Sequence, residues 1–354
     1  MASTTRPTLR LGGIVSGSRV WAYFPVVAAA AVLGLLPSVW FAGETYTTGL
    51  AVKAVIFAAY GVGFNLIFGS TNQLFLCVGA LASIGGYGTA ILSDSASLPI
   101  AAGIVLGTAI AAVVGGLLSW IAVRRSLGVI FTGIVTLVFS LALFNLQLGQ
   151  EHLTGGENGH LLSSAAVKLN DSRLGGYYLF AAVLVCFLLV FRALQLSHVG
   201  WAFRALRDDE TAAELAGVDV ARYRIYAAVV GSTMVGLTGA LYAYSDGYIS
   251  PSTYAFDQVD VRVLVLVAFG GLGTVLGPLV GATVFAFLDR ALINSGQVRE
   301  LLYGLFIVAI FLGFRRGFAH TLVALLRRVL RRRSGRGVPP GDSPLPIPEH
   351  GENP

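Results

Sequence analysis

The sequence predicts an all-α polytopic membrane protein of about ten transmembrane helices, some of them short or broken. Three observations predict it. The 354 residues are 55% hydrophobic and only 12% charged, against the roughly 25% charge of an ordinary soluble domain. Mainly apolar segments of about 20 residues, the length a helix needs to cross roughly 30 Å of hydrocarbon, recur along most of the chain. Basic residues gather on alternate sides of those segments, as the positive-inside rule requires.

Threading begins inside, because Arg6, Arg10 and Arg19 precede the first apolar run. That run, 21–41, is longer than a signal-peptide core and has no convincing Ala-x-Ala cleavage site at its end, so it reads as a retained span. The other predicted spans are 46–69, 73–92, 99–123, 127–148, 176–196, 224–245, 259–270, 278–293 and 300–314. Glu44, Asp94, the 149–174 loop, the 246–258 segment and the 294–299 turn then lie outside. Arg124, Arg125, Arg204, Arg207, Arg222 and Arg224 lie inside, as do both termini. Residues 1–20 form a cytoplasmic N-terminal segment, 21–318 the transmembrane domain and 319–354 a cytoplasmic tail.

The net charge of +6 comes largely from eight arginines between positions 315 and 336. A polybasic segment directly after a membrane span suits anionic headgroups, so the expected partner is the lipid bilayer and not nucleic acid. The remaining tail is rich in Pro and Gly and is expected to be disordered. Cys77 and Cys186 both fall inside apolar runs, where packed free thiols are expected.

Residues 270–278, Gly-Gly-Leu-Gly-Thr-Val-Leu-Gly-Pro, hold too many helix breakers for a clean membrane helix. Two readings stand: a tight turn between short spans, or a broken helix lining a transport path. Enzymatic chemistry has no support. There is no P-loop pattern and no His-Glu-x-x-His, and the five histidines have no ligand spacing. No nucleophile and base are paired within the spans. No cofactor or metal is expected. Acidic side chains, Asp260 and Asp289 included, sit at span ends or in loops, which argues against a proton- or sodium-driven transporter. Lys53 is placed to snorkel.

Residues 200–219 are the anomaly. Their composition favours helix, with apolar Phe203, Leu206, Ala213, Ala216 and Val218 set among Arg204, Arg207, Asp208, Asp209, Glu210 and Glu214. Such a helix docks into a groove on a partner or lies solvated on the bilayer. The stretch "GWAFRALRDDETAAELAGVDVARYR" resembles the cytoplasmic coupling segment of branched-chain amino acid ABC transporter permeases of the LivM kind. Gly200, Arg204, Arg207, Glu210, Ala212, Ala213 and Gly217 stand in the matching places, with Trp201 replacing the usual basic residue. The resemblance continues through "GVGFNLIFGSTNQL" (61–74), "LTGGENG" (153–159), "GLTGALYAYSDGYISPSTYAF" (236–256) and "LVAFGGLGTVLGPLVGA" (266–282), covering roughly 50–318.

The resemblance implies an ABC importer permease architecture, with a coupling helix over about 201–217 seated in a cytoplasmic ATPase. The implied partners are two ATPase subunits, an extracytoplasmic substrate-binding protein and a second permease, LivH-like or a second copy of this chain. The implied location is a bacterial inner membrane and the implied cargo is branched-chain or related amino acids. Residues assigned to the substrate path are Asn65, Asn72, Gln73, Thr154, Gly155, Gly156, Ser250, Pro251, Arg262, Gly270, Gly271 and Gly273. The chain departs from the family at Phe75, Cys77 and Val78, where Ser, Gly and His are usual, and at Arg262, where Glu is usual. Arg262 reads either as an interfacial anchor or as a pore-facing charge that favours an anionic or more apolar solute. An ATP-independent facilitator is the alternative class.

Overall fold

The computed structural model describes residues 16–40, 45–95, 98–162, 173–292, 301–305 and 308. Residues 1–15 of the N-terminal segment, the 294–299 turn, most of the 300–314 span, the arginine run and the tail lie outside the described residues. The chain runs α1 (Ser16–Trp40), α2 (Thr45–Thr71), α3 (Val78–Ser95), α4 (Ile100–Arg124), α5 (Val129–Gly149) and the short α6 (Glu151–Thr154). A two-residue strand β1 (His160–Leu161), α7 (Arg173–Leu196), α8 (His198–Asp208), α9 (Glu210–Leu215) and α10 (Val220–Asp246) follow. The strand β2 (Tyr248–Ile249), a 3₁₀ turn (Pro251–Tyr254), α11 (Asp260–Gly270) and α12 (Gly277–Leu292) complete the series.

Five helices among the described residues are long and apolar enough to cross a membrane: Thr47–Thr71, Ile100–Arg124, Val129–Gly149, Leu174–Leu196 and Val220–Asp246. The sequence places each within a few residues. One difference has a physical cause. The third predicted span begins at Val78 and not at 73, because Asn72 takes a left-handed conformation (φ 57°) that ends α2 and residues 72–77 are not helical. The eighth, read as a short span over 259–270, is an 11-residue helix, about 16 Å long and so half the depth of a bilayer core.

α10 lies at the centre, packed on α2, α3 and α4. Small residues permit the close approach that helices in lipid rely on for van der Waals contact. A Cβ on Gly63 of α2 would come 2.9 Å from the Gly231 carbonyl oxygen of α10, and one on Gly231 would come 2.7 Å from that of Gly63. The core holds Phe64, Phe75, Phe180, Leu184, Phe191, Val235 and Leu266, all buried. α4 and α5 instead turn Val105, Val113, Phe131 and Val138 outward, as lipid-facing helices do. Cys77 is a buried free thiol as expected, whereas Cys186 is free but exposed on α7.

One arrangement occurs twice. A 27-residue helix, a non-helical stretch, a shorter helix and a further helix follow one another in α2–α3–α4 and again in α10–α11–α12. Gly-Gly-x-Gly-Thr stands in both, at 85–89 and 270–274. In α3 it is helix packed on α4 and α10, and between α11 and α12 it is a turn.

Candidate coupling segment and transport path

The charged stretch forms two helices, α8 and α9, where the sequence suggests one over 201–217. Asp209 breaks them with extended backbone (φ −158°, ψ 115°), and its side chain accepts from the Ala212 N–H at 3.1 Å, capping α9 in the manner of an N-cap aspartate. Gly200 makes the α7–α8 corner, where a Cβ would overlap the carbonyls of Leu194 and Gln195. α8 turns Ala202, Phe203 and Leu206 inward, with Phe203 edge-on to Tyr223 of α10 at 6.3 Å. Ala213 anchors α9, while Ala212 is exposed. Gly217 ends the segment at φ +84°, a left-handed position suited to glycine.

The four charged or aromatic members diverge. Arg204 lies over the Trp201 ring at 4.5 Å, both exposed. Glu210 forms a bidentate pair with Arg224 of α10 at 2.6 and 2.8 Å, so α9 is tied to α10. Arg207 turns the other way, its guanidinium lying where a Gly273 side chain would be. Trp201 and Leu215, 69% and 86% exposed, are apolar groups left on the surface.

Asn65 and three of the assigned glycines meet at the turn between α11 and α12. The Gly273 N–H donates to Asn65 Oδ1 at 2.7 Å and Asn65 Nδ2 donates to the Thr274 carbonyl at 2.8 Å. Gly271 and Gly273 have φ of 107° and 74°, and Gly270 sits so close to Gly277 that a Cβ there would overlap its carbonyl. Gln73 accepts from Ser119 Oγ at 3.0 Å and is buried, whereas Asn72 is exposed.

At the other end of α10, about 40 Å away along 27 residues, the 153–159 motif meets the 248–254 segment. β1 pairs antiparallel with β2, and Tyr248 Oη donates to the Asn158 carbonyl at 3.1 Å. Thr154 Oγ1 donates to the Gln147 and Gln150 carbonyls, and Gly155, Gly156 and Gly159 all have positive φ. Ser250 Oγ lies 3.0 Å from both Ser252 Oγ and Thr253 Oγ1, beside buried Pro251. His160 Nε2 lies 2.7 Å from Asp94 Oδ2, joining this cap to the end of α3.

Sequence reasoning missed Asp260. It stands at the start of α11, as read, but only 2% exposed within the bundle, because the 247–259 segment carries the chain inward before the helix begins. Its Oδ1 accepts from the N–H groups of Val78 and Gly79 at 2.5 and 3.3 Å, and Ser140 Oγ lies 3.4 Å from Oδ2. A carboxylate there meets the positive end of the α3 dipole. Phe75, Cys77 and Val78, the departures leading into α3, are all buried, and the Val78 N–H is one of the two backbone donors to Asp260. Arg262 donates to Gln258 Oε1 at 2.8 Å and lies 5.9 Å over the Tyr303 ring. It lines a small cavity of about 20 Å³ with Lys53 and Asp289, and Asp289 accepts from Tyr303. A larger cavity of about 320 Å³ between α1, α2, α7 and α12 is lined mostly by side chains such as Leu33, Ala51, Val55 and Leu279, which offer a polar solute little to bond.

Comparison with known proteins accords with these features. The family model described as branched-chain amino acid transport system / permease component matches residues 46–314. The chain is similar to the high-affinity branched-chain amino acid transport system permease protein LivM of Salmonella typhimurium, with 26% identity over 81% of this chain and 72% of the relative. It is also similar to the autoinducer 2 import system permease protein LsrC of Salmonella typhi, 26% identical over 77% of each chain. Similarity to the ribose import permease protein RbsC of Haemophilus influenzae is 24% over 68% of this chain and 74% of the relative. No solved structure matches. These relatives are transport permeases and not enzymes, and the match spans nearly all of α2 through α12. The chain therefore belongs to the family of permease components of branched-chain amino acid transport systems.

Proposed function

We propose that this chain is the transmembrane permease subunit of an ABC importer that carries branched-chain or related amino acids into the cytoplasm. Separate ATPase subunits drive it, an extracytoplasmic binding protein delivers the solute and a second permease, LivH-like or another copy, completes the pore. The chain sits in a bacterial inner membrane with about ten spans in its 21–318 domain, and both the 1–20 segment and the 319–354 tail are cytoplasmic. One observation carries this reading: α8 and α9 project between α7 and α10, bury Phe203, Leu206 and Ala213 on the bundle and leave Trp201, Arg204 and Leu215 outward. A solvated connector has no use for an outward Trp and Leu. A helix that seats in a partner's groove does.

The substrate path runs, in this reading, from the Thr154–Gly156 and Ser250–Pro251 cap past Asn72 and Gln73 to the glycine turn. Arg262, with Lys53 in the same cavity, supports a second reading of cargo: the same architecture moving another small polar or anionic solute. The LsrC and RbsC relatives, whose names specify autoinducer 2 and ribose import, fit a family that varies its solute. Co-purification tests the assembly. Two ATPase subunits and a second permease should accompany the tagged chain, and solute uptake in vesicles should require ATP. Uptake by the chain alone, without ATP or partners, would establish a facilitator instead.

A further inference from the structure

The coupling motif contains two arginines, Arg204 and Arg207, three residues apart. Both are exposed, but they reach different neighbours. Arg204 stacks on Trp201 and donates to the Gln195 carbonyl at 3.4 Å. Arg207 reaches across to the turn between α11 and α12, and its guanidinium occupies the space a Cβ of Gly273 would fill.

Gly273 is held from four directions. Its N–H is bonded to Asn65 of α2 at 2.7 Å, and its carbonyl accepts from Gln195 Nε2 of α7 at 3.0 Å. Gln195 is itself oriented by Arg192 Nη1 at 3.2 Å. Gly69 of α2 lies so close that a Cβ on it would come 2.6 Å from the Gly273 nitrogen. Arg207 of α8 closes the fourth side. With φ +74° at Gly273, no side chain of its own competes for that space. Arg207 approaches this bare backbone through Nη1, one end of a rigid planar fork that a lysine ammonium does not reproduce.

α8 joins α7 through the Gly200 corner with only Ser197 between the helices. Any shift of α8 therefore displaces both Gln195 and Arg207 relative to Gly273. The turn they hold is the hinge between α11, whose other end carries Asp260 against α3 and α5, and α12.

We propose that Arg207 is a positioning residue that transmits displacement of α8 to the α11–α12 turn through Gly273, and is not part of the surface that docks the ATPase. The proposal rests on the importer reading above. It divides one motif into a part, Trp201 and Arg204, that binds the partner and a part, Arg207, that acts with Gln195 of α7 on the turn and so moves the membrane helices.

The test compares wild type, Arg207→Ala, Gln195→Ala and Arg204→Ala. Hydrogen–deuterium exchange on the full chain in detergent reads the turn. Uptake and ATP hydrolysis in vesicles holding the whole importer read coupling. Loss of Arg207 or of the Gln195 bond is expected to speed exchange over 271–276 about tenfold, leave the ATPase subunits bound and lower solute moved per ATP hydrolysed by about the same factor. Arg204→Ala is expected to weaken ATPase binding with exchange over 271–276 unchanged. Unchanged exchange in Arg207→Ala, an unchanged solute-to-ATP ratio, or loss of ATPase binding equal to that of Arg204→Ala overturns the proposal. Should Arg207→Ala fail to fold, Gln195→Ala and Arg207→Lys, expected to uncouple in the same way, decide it. If the wild type shows no ATP-dependent uptake, the importer reading has failed, and the exchange comparison still decides whether Arg207 holds the turn.

Discussion

Asp260 places a carboxylate inside a bundle of mostly apolar helices, and its partners explain how. Two backbone N–H groups at the start of α3 and the Ser140 hydroxyl take up its oxygens, so the charge meets donors that would otherwise be unsatisfied. Asp260→Ala strips the α3 start of its acceptor and is expected to destabilise the protein by about 2–4 kcal/mol, read as a lower unfolding midpoint in detergent. Asp260→Asn, which keeps a carbonyl acceptor, should lose less. Equal stability of wild type and Asp260→Ala would contradict the capping role. Arg262 belongs to the same scale: Arg262→Glu is expected to change which solutes are taken up without changing basal ATP hydrolysis by the ATPase subunits. Unaltered selectivity would make it an anchor only. Neither residue's surroundings were legible in the sequence. Asp260 reaches Val78 across 182 positions, and Arg262 meets Tyr303 from a different helix.

At the scale of elements, hydropathy located the long helices to within a few residues because a bilayer-length apolar run has few alternatives. What it missed was the break at 72–77, whereas the one at 270–278 was read from its glycines and proline. Gly-Gly-x-Gly-Thr is helical at 85–89 and a turn at 270–274, although the five residues match at four positions. The difference lies in the surroundings. In α3 the glycines face the glycines of α4 and α10, whereas the second copy is followed by Pro278 at the start of α12 and has its backbone bonded by Asn65 and Gln195. The coupling stretch likewise read as one helix, and the cap formed by Asp209 divides it. After that division α9 is held by buried Ala213 and by the Glu210–Arg224 pair. Replacing Arg204 and Glu210 together by Ala is expected to leave expression normal, since partly exposed ion pairs contribute only about 0–1 kcal/mol, and to abolish ATP-dependent uptake. Undiminished uptake would show that the segment is a plain connector.

For the whole molecule, α10 is the ruler: the coupling segment stands at its start and the β1–β2 cap at its end. The arrangement agrees with arginines gathered on one side of the spans, but the sidedness itself was inferred from charge. Thiol labelling in whole cells checks it. In a background with Cys77 and Cys186 replaced, Asn158→Cys is expected to react with an impermeant reagent from outside and Leu215→Cys to be protected. The reverse pattern would invert the threading. Two matching glycine strings were also present in the sequence, yet they fall at different places, inside α3 and between α11 and α12, and a string of five residues acquires meaning only when its neighbours in space are known.

The central claim is that this chain converts ATPase closure into solute movement. Uptake of leucine, isoleucine, valine and related solutes should be measured in vesicles rebuilt from the chain, a second permease, the ATPase subunits and the binding protein. The expected result is uptake that requires ATP and every component and that is lost in the Arg204→Ala, Glu210→Ala double variant. Uptake that proceeds at full rate without ATP, or that ignores the double variant, would contradict the account.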